Sequence, residues 1–357
     1  MRNSITTGWA ASSGAALAAL SLLCFFDGGH ARAEMGGDAS ASAASEQPTR
    51  VSAGSSAATS TAARPKHHAS SRWGANWFPN IELTNHEGKK VRFFDDLLKD
   101  KVVAINFIFT KCRNTCPSET AKMRRVQRLL GDRVGQDVFM YSITLDPRWD
   151  TPERLADYVD RYDIGPGWQF LTGDPKDLEL IQRKLGMYFD DLDDPQDHNV
   201  SLILGNQTTG RWQKRSPHDD PYVLASMLGE ALHGYHSSKR VFDRPLYNSA
   251  KVTTGISRGQ YLFKTRCSSC HTIGGGDDIG PDLAGVTEQR DRDWLVRWIK
   301  EPDVMLREKD PLATALFAKY RRIPMPNQKL GDLEIEALLE FISAQTVRLT
   351  KAESQPD

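Results

Sequence analysis

The sequence predicts two folded domains of different class: an α/β domain with a mixed sheet and flanking helices, then a smaller all-α domain. Three observations carry this. Short apolar, β-branched runs alternate with amphipathic segments between Trp73 and Tyr235. From Gly255 to Leu349 the apolar spacing is helical only. The stretch between them, residues 236–254, has no clear period and reads as a linker. The 357 residues carry 46 Lys+Arg against 46 Asp+Glu, so nothing points to nucleic acid or another polyanionic partner.

Residues 1–33 read as an export signal. Arg2 gives a small positive start, Gly8–Phe26 is apolar, and Ala31-Arg32-Ala33 is an A-x-A cleavage site. The alternative is an uncleaved anchor, because an apolar stretch of this length is marginally able to span a bilayer. The expected location is therefore periplasmic, either released or held at the inner membrane by the N-terminus. Residues 34–72 are rich in Ala and Ser and have almost no large aliphatic side chains, so they read as a disordered tether, with His67-His68 as a solvated pair.

The first domain is expected over residues 73–235. Val102–Thr110 (VVAINFIFT) is a buried strand, followed by a helix over Ser118–Gly131 that stops at its glycine. A second strand starts at Asp137. The helix Thr151–Tyr162 opens with a Thr cap and Pro at its first position. WQFLTG is a third strand, Asp174–Gly186 a helix, Asn199 onward a hairpin, and Asp220–Leu232 a closing helix. His233 and His236, at the domain end, read as solvated. The second domain is expected over residues 255–349, with helices at Gly255–Arg266, Asp291–Lys300 and Asp332–Thr346, and residues 350–357 as a tail. Its last helix has Ile335, Leu338, Leu339 and Ile342 at helical spacing.

Of the five cysteines, cleavage would remove Cys24 and leave two pairs, Cys112/Cys116 and Cys267/Cys270. A structural disulfide framework is not expected in domains this large. Cys267-Ser268-Ser269-Cys270-His271 is C-x-x-C-H, the pattern of covalent haem c attachment, in which two thiols fix the porphyrin and the adjacent His271 ligates iron. A second axial ligand is expected at Met325, in a loop stiffened by Pro324 and Pro326; Met305, the rival, reads as packing. With CSSCH, GPDLAGV and a Met-Pro loop before the last helix, this segment resembles class I c-type cytochromes. That resemblance implies that Pro281 contacts the proximal His271.

Cys112 and Cys116 lie at a strand-to-helix junction at i, i+4 spacing. A helix N-terminus lowers thiol pKa, so at least one cysteine is expected to be substantially thiolate, suited to dithiol redox chemistry or to a soft metal such as Cu(I). His198, before a strand in DHNVSLIL, is a candidate third ligand, and Asp197 beside it a candidate for orienting the imidazole. The run Asp190, Asp191, Asp193, Asp194 reads as a solvated loop. FTKCRNTCP, SITLDPRWDTPERL, WQFLTG and DHNVSLIL, in that order, resemble the motifs of the Sco/SenC family. The resemblance implies a thioredoxin-like fold and a copper site at Cys112, Cys116 and His198. One departure stands inside the motif: the family commonly has Pro and Asp after the first cysteine, where this chain has Arg113 and Asn114.

These readings converge on an exported copper metallochaperone with a fused haem c electron-transfer domain. The family resemblance implies a role in assembling the dinuclear copper centre of a haem–copper (cytochrome c) oxidase. The expected partners are the copper-site subunit of the oxidase, or another periplasmic copper or thiol client, and a redox partner protein. The alternative is a thiol–disulfide oxidoreductase in which Cys112 and Cys116 are catalytic and exchange electrons with the haem. Thioredoxin-type pairs lie near about −120 to −270 mV, and Met/His ligation raises a haem's potential. Electrons would then run from dithiol to haem. A metallochaperone or electron-transfer protein is favoured over a turnover enzyme.

Overall fold

Strand β3 (Val102–Ile108) is buried along its whole length, and the first domain is built around it. The computed structural model describes Gly74 and residues 76–113, 115–188, 201–233 and 255–353. The chain divides into two units, residues 1–64 and 65–357, and all described residues belong to the second. The expected signal and tether, His67, His68, the acidic run, Asp197, His198, His236 and the linker lie outside the described residues.

Strands β4 (Val138–Thr144) and β5 (Trp168–Thr172) run parallel to β3 on one side. On its other side β6 (Leu202–Asn206) and β7 (Arg211–Arg215) form an antiparallel hairpin. A short hairpin, β1 (Glu82–Asn85) and β2 (Lys90–Arg92), adds antiparallel to β5. The described residues thus form one mixed sheet in the order β2-β1-β5-β4-β3-β6-β7. Alternation along β3 sends Val102, Ala104 and Ile108 to one face and Val103, Ile105 and Phe107 to the other, each into its own apolar cluster.

Four helices cover the sheet: α1 (Thr115–Leu130), α2 (Pro152–Tyr162), α3 (Pro175–Leu185) and α4 (Pro221–Gly229). The last three begin with Pro after a side-chain cap, Thr151, Asp174 and Asp220 respectively. The mixed α/β sheet expected from the sequence is present, with two differences. Helix α1 starts at Thr115 rather than Ser118, which places Cys116 in its first turn. The β1–β2 hairpin and the turn Phe93–Leu98 were not anticipated, because strands of three and four residues carry no readable period.

The second domain is all helical among the described residues. Helix α5 (Arg258–Leu262) starts at a Ser257 cap and runs on through a wider turn, Phe263–Cys267. It is followed by α6 (Val286–Gln289), α7 (Arg292–Lys300), α8 (Pro302–Arg307), α9 (Pro311–Lys319) and α10 (Asp332–Glu353). Helices α8 and α9 fall between the second and third expected helices, where none was expected, and α10 extends through Glu353 into the expected tail. Gly259 permits the α5–α10 crossing: a Cβ there would lie 2.7 Å from the Cβ of Phe341 and closer still to the Ala337 carbonyl. Among the described residues no helix is long and apolar enough to cross a membrane.

Candidate functional site

The C-terminal end of β3 delivers the chain into a tight turn, where the Cys112 amide donates to the Phe109 carbonyl at 3.1 Å. Cys112 and Cys116 are 5% and 0% exposed, in the same apolar cluster. The Cys116 amide donates to Cys112 Sγ at 3.4 Å, and Thr115 Oγ1 lies 3.7 Å from that sulfur. The two cysteines are therefore buried side by side among apolar residues at the start of α1. The expectation of a lowered thiol pKa fails for Cys116, whose thiol is pushed well up by its hydrogen bond with Cys112, by burial and by the neighbouring negative groups. These outweigh the helix N-terminus because water does not reach the sulfur.

The turn carrying the thiols is tied down by Asp150, a residue that sequence reasoning passed over within SITLDPRWD. Asp150 is 0% exposed. Its carboxylate accepts from Thr110 Oγ1 at 2.5 Å, from the Thr110 amide at 3.2 Å and from Thr144 Oγ1 at 2.5 Å. Burial raises its pKa against the opposing pull of these donors. The end of β3 and the end of β4 are thereby locked together beside the thiols. The Lys111 ammonium and the Arg154 guanidinium both lie over the Trp149 ring, 3.9 and 3.5 Å from its centroid. Lys111 also pairs with Asp146 at 3.4 Å, and with Arg154 and the exposed Arg113 the surface beside the thiols keeps an excess of positive charge. His233, expected to be solvated, has its Nε2 buried, and burial lowers its pKa.

The second domain gathers its motif around one cavity of about 340 Å³, lined by Cys267, Cys270, His271 and Met325 among mainly apolar side chains. His271 Nδ1 is 2.9 Å from the Pro281 carbonyl, so that nitrogen carries the proton and donates. Burial lowers the His271 pKa and keeps the ring neutral. The Nε2 lone pair is then the one available to a metal. Gly280 packs flat on the ring, where a Cβ would come within 2.6 Å of His271 Cε1. Asp282 accepts from Thr272 Oγ1 and from the amides of Gly274, Gly276 and Ala284, at 2.5 to 2.9 Å, and shapes the Gly-rich loop. Burial pushes the Cys267 and Cys270 thiols up to about 12, which suits sulfurs used for attachment more than thiolate nucleophiles. Met305, by contrast, is 1% exposed and does not line the cavity.

The thiol pair and the cavity are adjacent. Pro117 and Ser118, directly after Cys116, are part of the cavity wall. Arg124 of α1 reaches Asp278 at 2.8 Å, and Cys270, Ile279 and Ile323 pack against the cluster holding Cys112 and Cys116. No sequence signal reports this contact between residues so distant along the chain.

The architecture is that of a thiol-bearing α/β domain joined to a helical haem-type domain. Residues 72–232 match the SCO1/SenC family model and residues 256–346 the Cytochrome c model; the chain is an SCO1/SenC domain of thioredoxin-like fold followed by a cytochrome c domain. It is 35% identical over 109 residues to protein sco1 of Schizosaccharomyces pombe, covering 30% of this chain and 40% of that protein. Among solved structures, ScoI of Bradyrhizobium japonicum with copper bound is 26% identical, with a TM-score of 0.36, covering 42% of this chain and 95% of that one. A cytochrome c domain from Pseudomonas putida is 51% identical, with a TM-score of 0.25, covering 27% of this chain and 95% of that one. The chain spans between 37% and 62% of the length of such curated relatives.

The side chains fit both groups. A cytochrome c domain implies haem c, and the cavity supplies two attachment sulfurs, a neutral imidazole and a thioether. Two buried sulfurs in one apolar cluster are a soft donor set that suits Cu(I) over hard cations. Among the described residues no third donor completes a cluster of three, and His198 lies outside them.

Proposed function

We propose that this chain is an exported copper metallochaperone with a fused haem c electron-transfer domain, serving the assembly of the dinuclear copper centre of a haem–copper oxidase. Cys112 and Cys116 hold Cu(I) as cargo and His198 completes the site. Cys267 and Cys270 would anchor the haem, and His271 and Met325 would ligate its iron. The haem supplies one-electron transfer when bound. The chain's own part is to fix the imidazole through Pro281, to seat it on Gly280 and to exclude water from the cavity. The observation that carries this reading is the placement of two buried sulfurs at the start of the helix that also walls the haem cavity. Copper and haem each exchange one electron, so a copper pocket and a haem site in contact make a matched pair.

A dithiol exchange enzyme is less well served. Exchange requires in-line approach of a client disulfide to an attacking sulfur, whereas Cys112 is 5% exposed and Cys116 not at all. A small ion is far less restricted. The family resemblance supports the copper-site subunit of an oxidase as client, and the basic surface around Trp149 suits an acidic one. The A-x-A motif at Ala31–Ala33 supports export to the periplasm.

The test is metal loading of the reduced full chain. One Cu(I) per chain is expected for the native sequence and none for Cys112→Ser. A native chain that takes up no copper overturns the proposal.

A further inference from the structure

The haem cavity is not closed by the helical domain alone. Pro117 and Ser118, one and two residues after Cys116, share its wall with Met325 and His271. Gln328, just past Met325, donates from Nε2 to Ser118 Oγ at 3.3 Å. On the other side of Met325, Ile323 packs against the cluster that contains Cys112 and Cys116, and Arg321 donates to the Asp160 carbonyl at 3.1 Å. The loop that presents Met325 is therefore fastened to the first domain before and after the methionine.

The register of this contact is fixed further along α1. Arg124 is 5% exposed. It donates to Asp278 at 2.8 Å, to the Asp163 carboxylate at 2.7 Å and to the Asp163 carbonyl at 3.2 Å. Arg128 also reaches Asp278, at 3.2 Å, and Arg125 donates to the Ser268 carbonyl, inside the C-x-x-C-H motif, at 3.0 Å. A buried, multiply bonded arginine holds the helix against the haem motif, so a movement at the start of α1 is not absorbed by sliding of the whole interface.

We propose that Ser118 is a positioning residue for the haem site. Through the first turn of α1 and the Ser118–Gln328 contact, the state of the Cys112/Cys116 pair is passed to the Met325 loop. Bringing both sulfurs onto one soft ion, or into a disulfide, changes their present arrangement, in which the Cys116 amide donates to Cys112 Sγ. Cys116 is in the first helical turn, so Pro117 and Ser118 move with it. Packed interiors pass on small displacements rather than damping them. By linkage, an ion that alters the haem's redox equilibrium must find its own affinity altered by the same factor when the haem changes oxidation state. This rests on the reading of Cys112 and Cys116 as soft-metal ligands.

The experiment uses the full-length haem-loaded chain and Ag(I), a soft ion added at no more than one equivalent per chain so that it is held by thiolates, which stabilise it against reduction and keep electron transfer to the metal out of the comparison. Haem midpoint potential and the Met–iron charge-transfer absorption of the ferric form are measured for the dithiol, disulfide and Ag(I)-loaded forms. The potential is expected to differ between dithiol and Ag(I) forms. The Ag(I) affinity of ferrous and ferric protein should differ by the matching factor, about fivefold or more. Ser118→Ala and Gln328→Ala should bind one Ag(I) and keep their unfolding midpoint yet lose most of the shift; a residue serving only stability would change the midpoint and leave the shift. Identical potentials and absorption in all three forms overturn the proposal, as does a shift that survives unchanged in both variants. Failure to bind Ag(I) overturns the metal reading separately, and the dithiol–disulfide comparison then decides the coupling, equal potentials refuting it.

Discussion

Removal of the Asp150 carboxylate tests how the thiol turn is held. The side chain is fully buried and accepts from the Thr110 amide, the Thr110 hydroxyl and the Thr144 hydroxyl. Asp150→Ala strands all of these donors and leaves a small void. A buried donor left without a partner costs about 1–3 kcal/mol. The hydroxyls can rotate towards other acceptors but the amide cannot, so the amide's cost together with the small void gives an expected loss of about 2–4 kcal/mol. Asp150→Asn keeps one oxygen acceptor and should lose only about 1–2 kcal/mol. Burial raises the folded-state pKa of Asp150 above its ordinary value of 3.8. Its contribution is therefore complete below 3.8 and is lost as the pH rises through the raised folded value, so the gap between native chain and Asp150→Asn should narrow over that window. The assay is urea unfolding of the haem-loaded chain followed by far-ultraviolet circular dichroism across that pH range, with Cu(I) stoichiometry measured alongside. A loss below about 1 kcal/mol for Asp150→Ala would refute the assignment of Asp150 as the clamp of the turn, and a gap that widens with pH would refute the dominance of burial over its donors.

Gly280→Ala places a methyl 2.6 Å from His271 Cε1 and 2.9 Å from Nδ1, so the imidazole or the loop must shift. The expected cost is about 1–3 kcal/mol with weakened axial ligation, checked by thermal unfolding and the haem absorption spectrum. Asp282 is partly buried, which opposes its ionisation, but four donors hold its pKa down to about 2. Its contribution is present above 3.8 and lost as the pH falls towards about 2. Asp282→Asn should destabilise the cytochrome domain at neutral pH and flatten its acid unfolding in that range, as read by haem absorbance.

Much of this architecture is legible in the chain itself. Strand β3 shows because it is apolar at every position but Asn106, and α2, α3 and α4 show because each has a capping residue followed by proline. The C-x-x-C-H motif and the proline-flanked Met325 name their own chemistry, and both line the cavity. Other features were hidden for identifiable reasons. The strands of the first hairpin are too short to have a period. Helices α8 and α9 were signalled only by Pro302 and by Asp310-Pro311, punctuation that passes for loop when the helices are short. The start of α1 was set three residues late because Pro117 resembles a helix entry when it stands within the first turn. The raised Cys116 pKa could not be read from position along a helix, since it depends on burial and on where Cys112 lies. Asp150 and Arg124 are ordinary charged residues in the sequence, and only the fold shows that they are buried with partners from other elements.

The central claim is that Cys112 and Cys116 form a copper site rather than a working dithiol. It is tested most directly by a combined Cu(I) stoichiometry and redox titration of the native chain against His198→Ala. A copper site with His198 as third ligand predicts one Cu(I) per native chain and a large loss of affinity in the variant, with the thiol titration little changed. Equal copper binding by the two proteins, or no copper in either alongside rapid reduction of ferric haem by the dithiol, would contradict it.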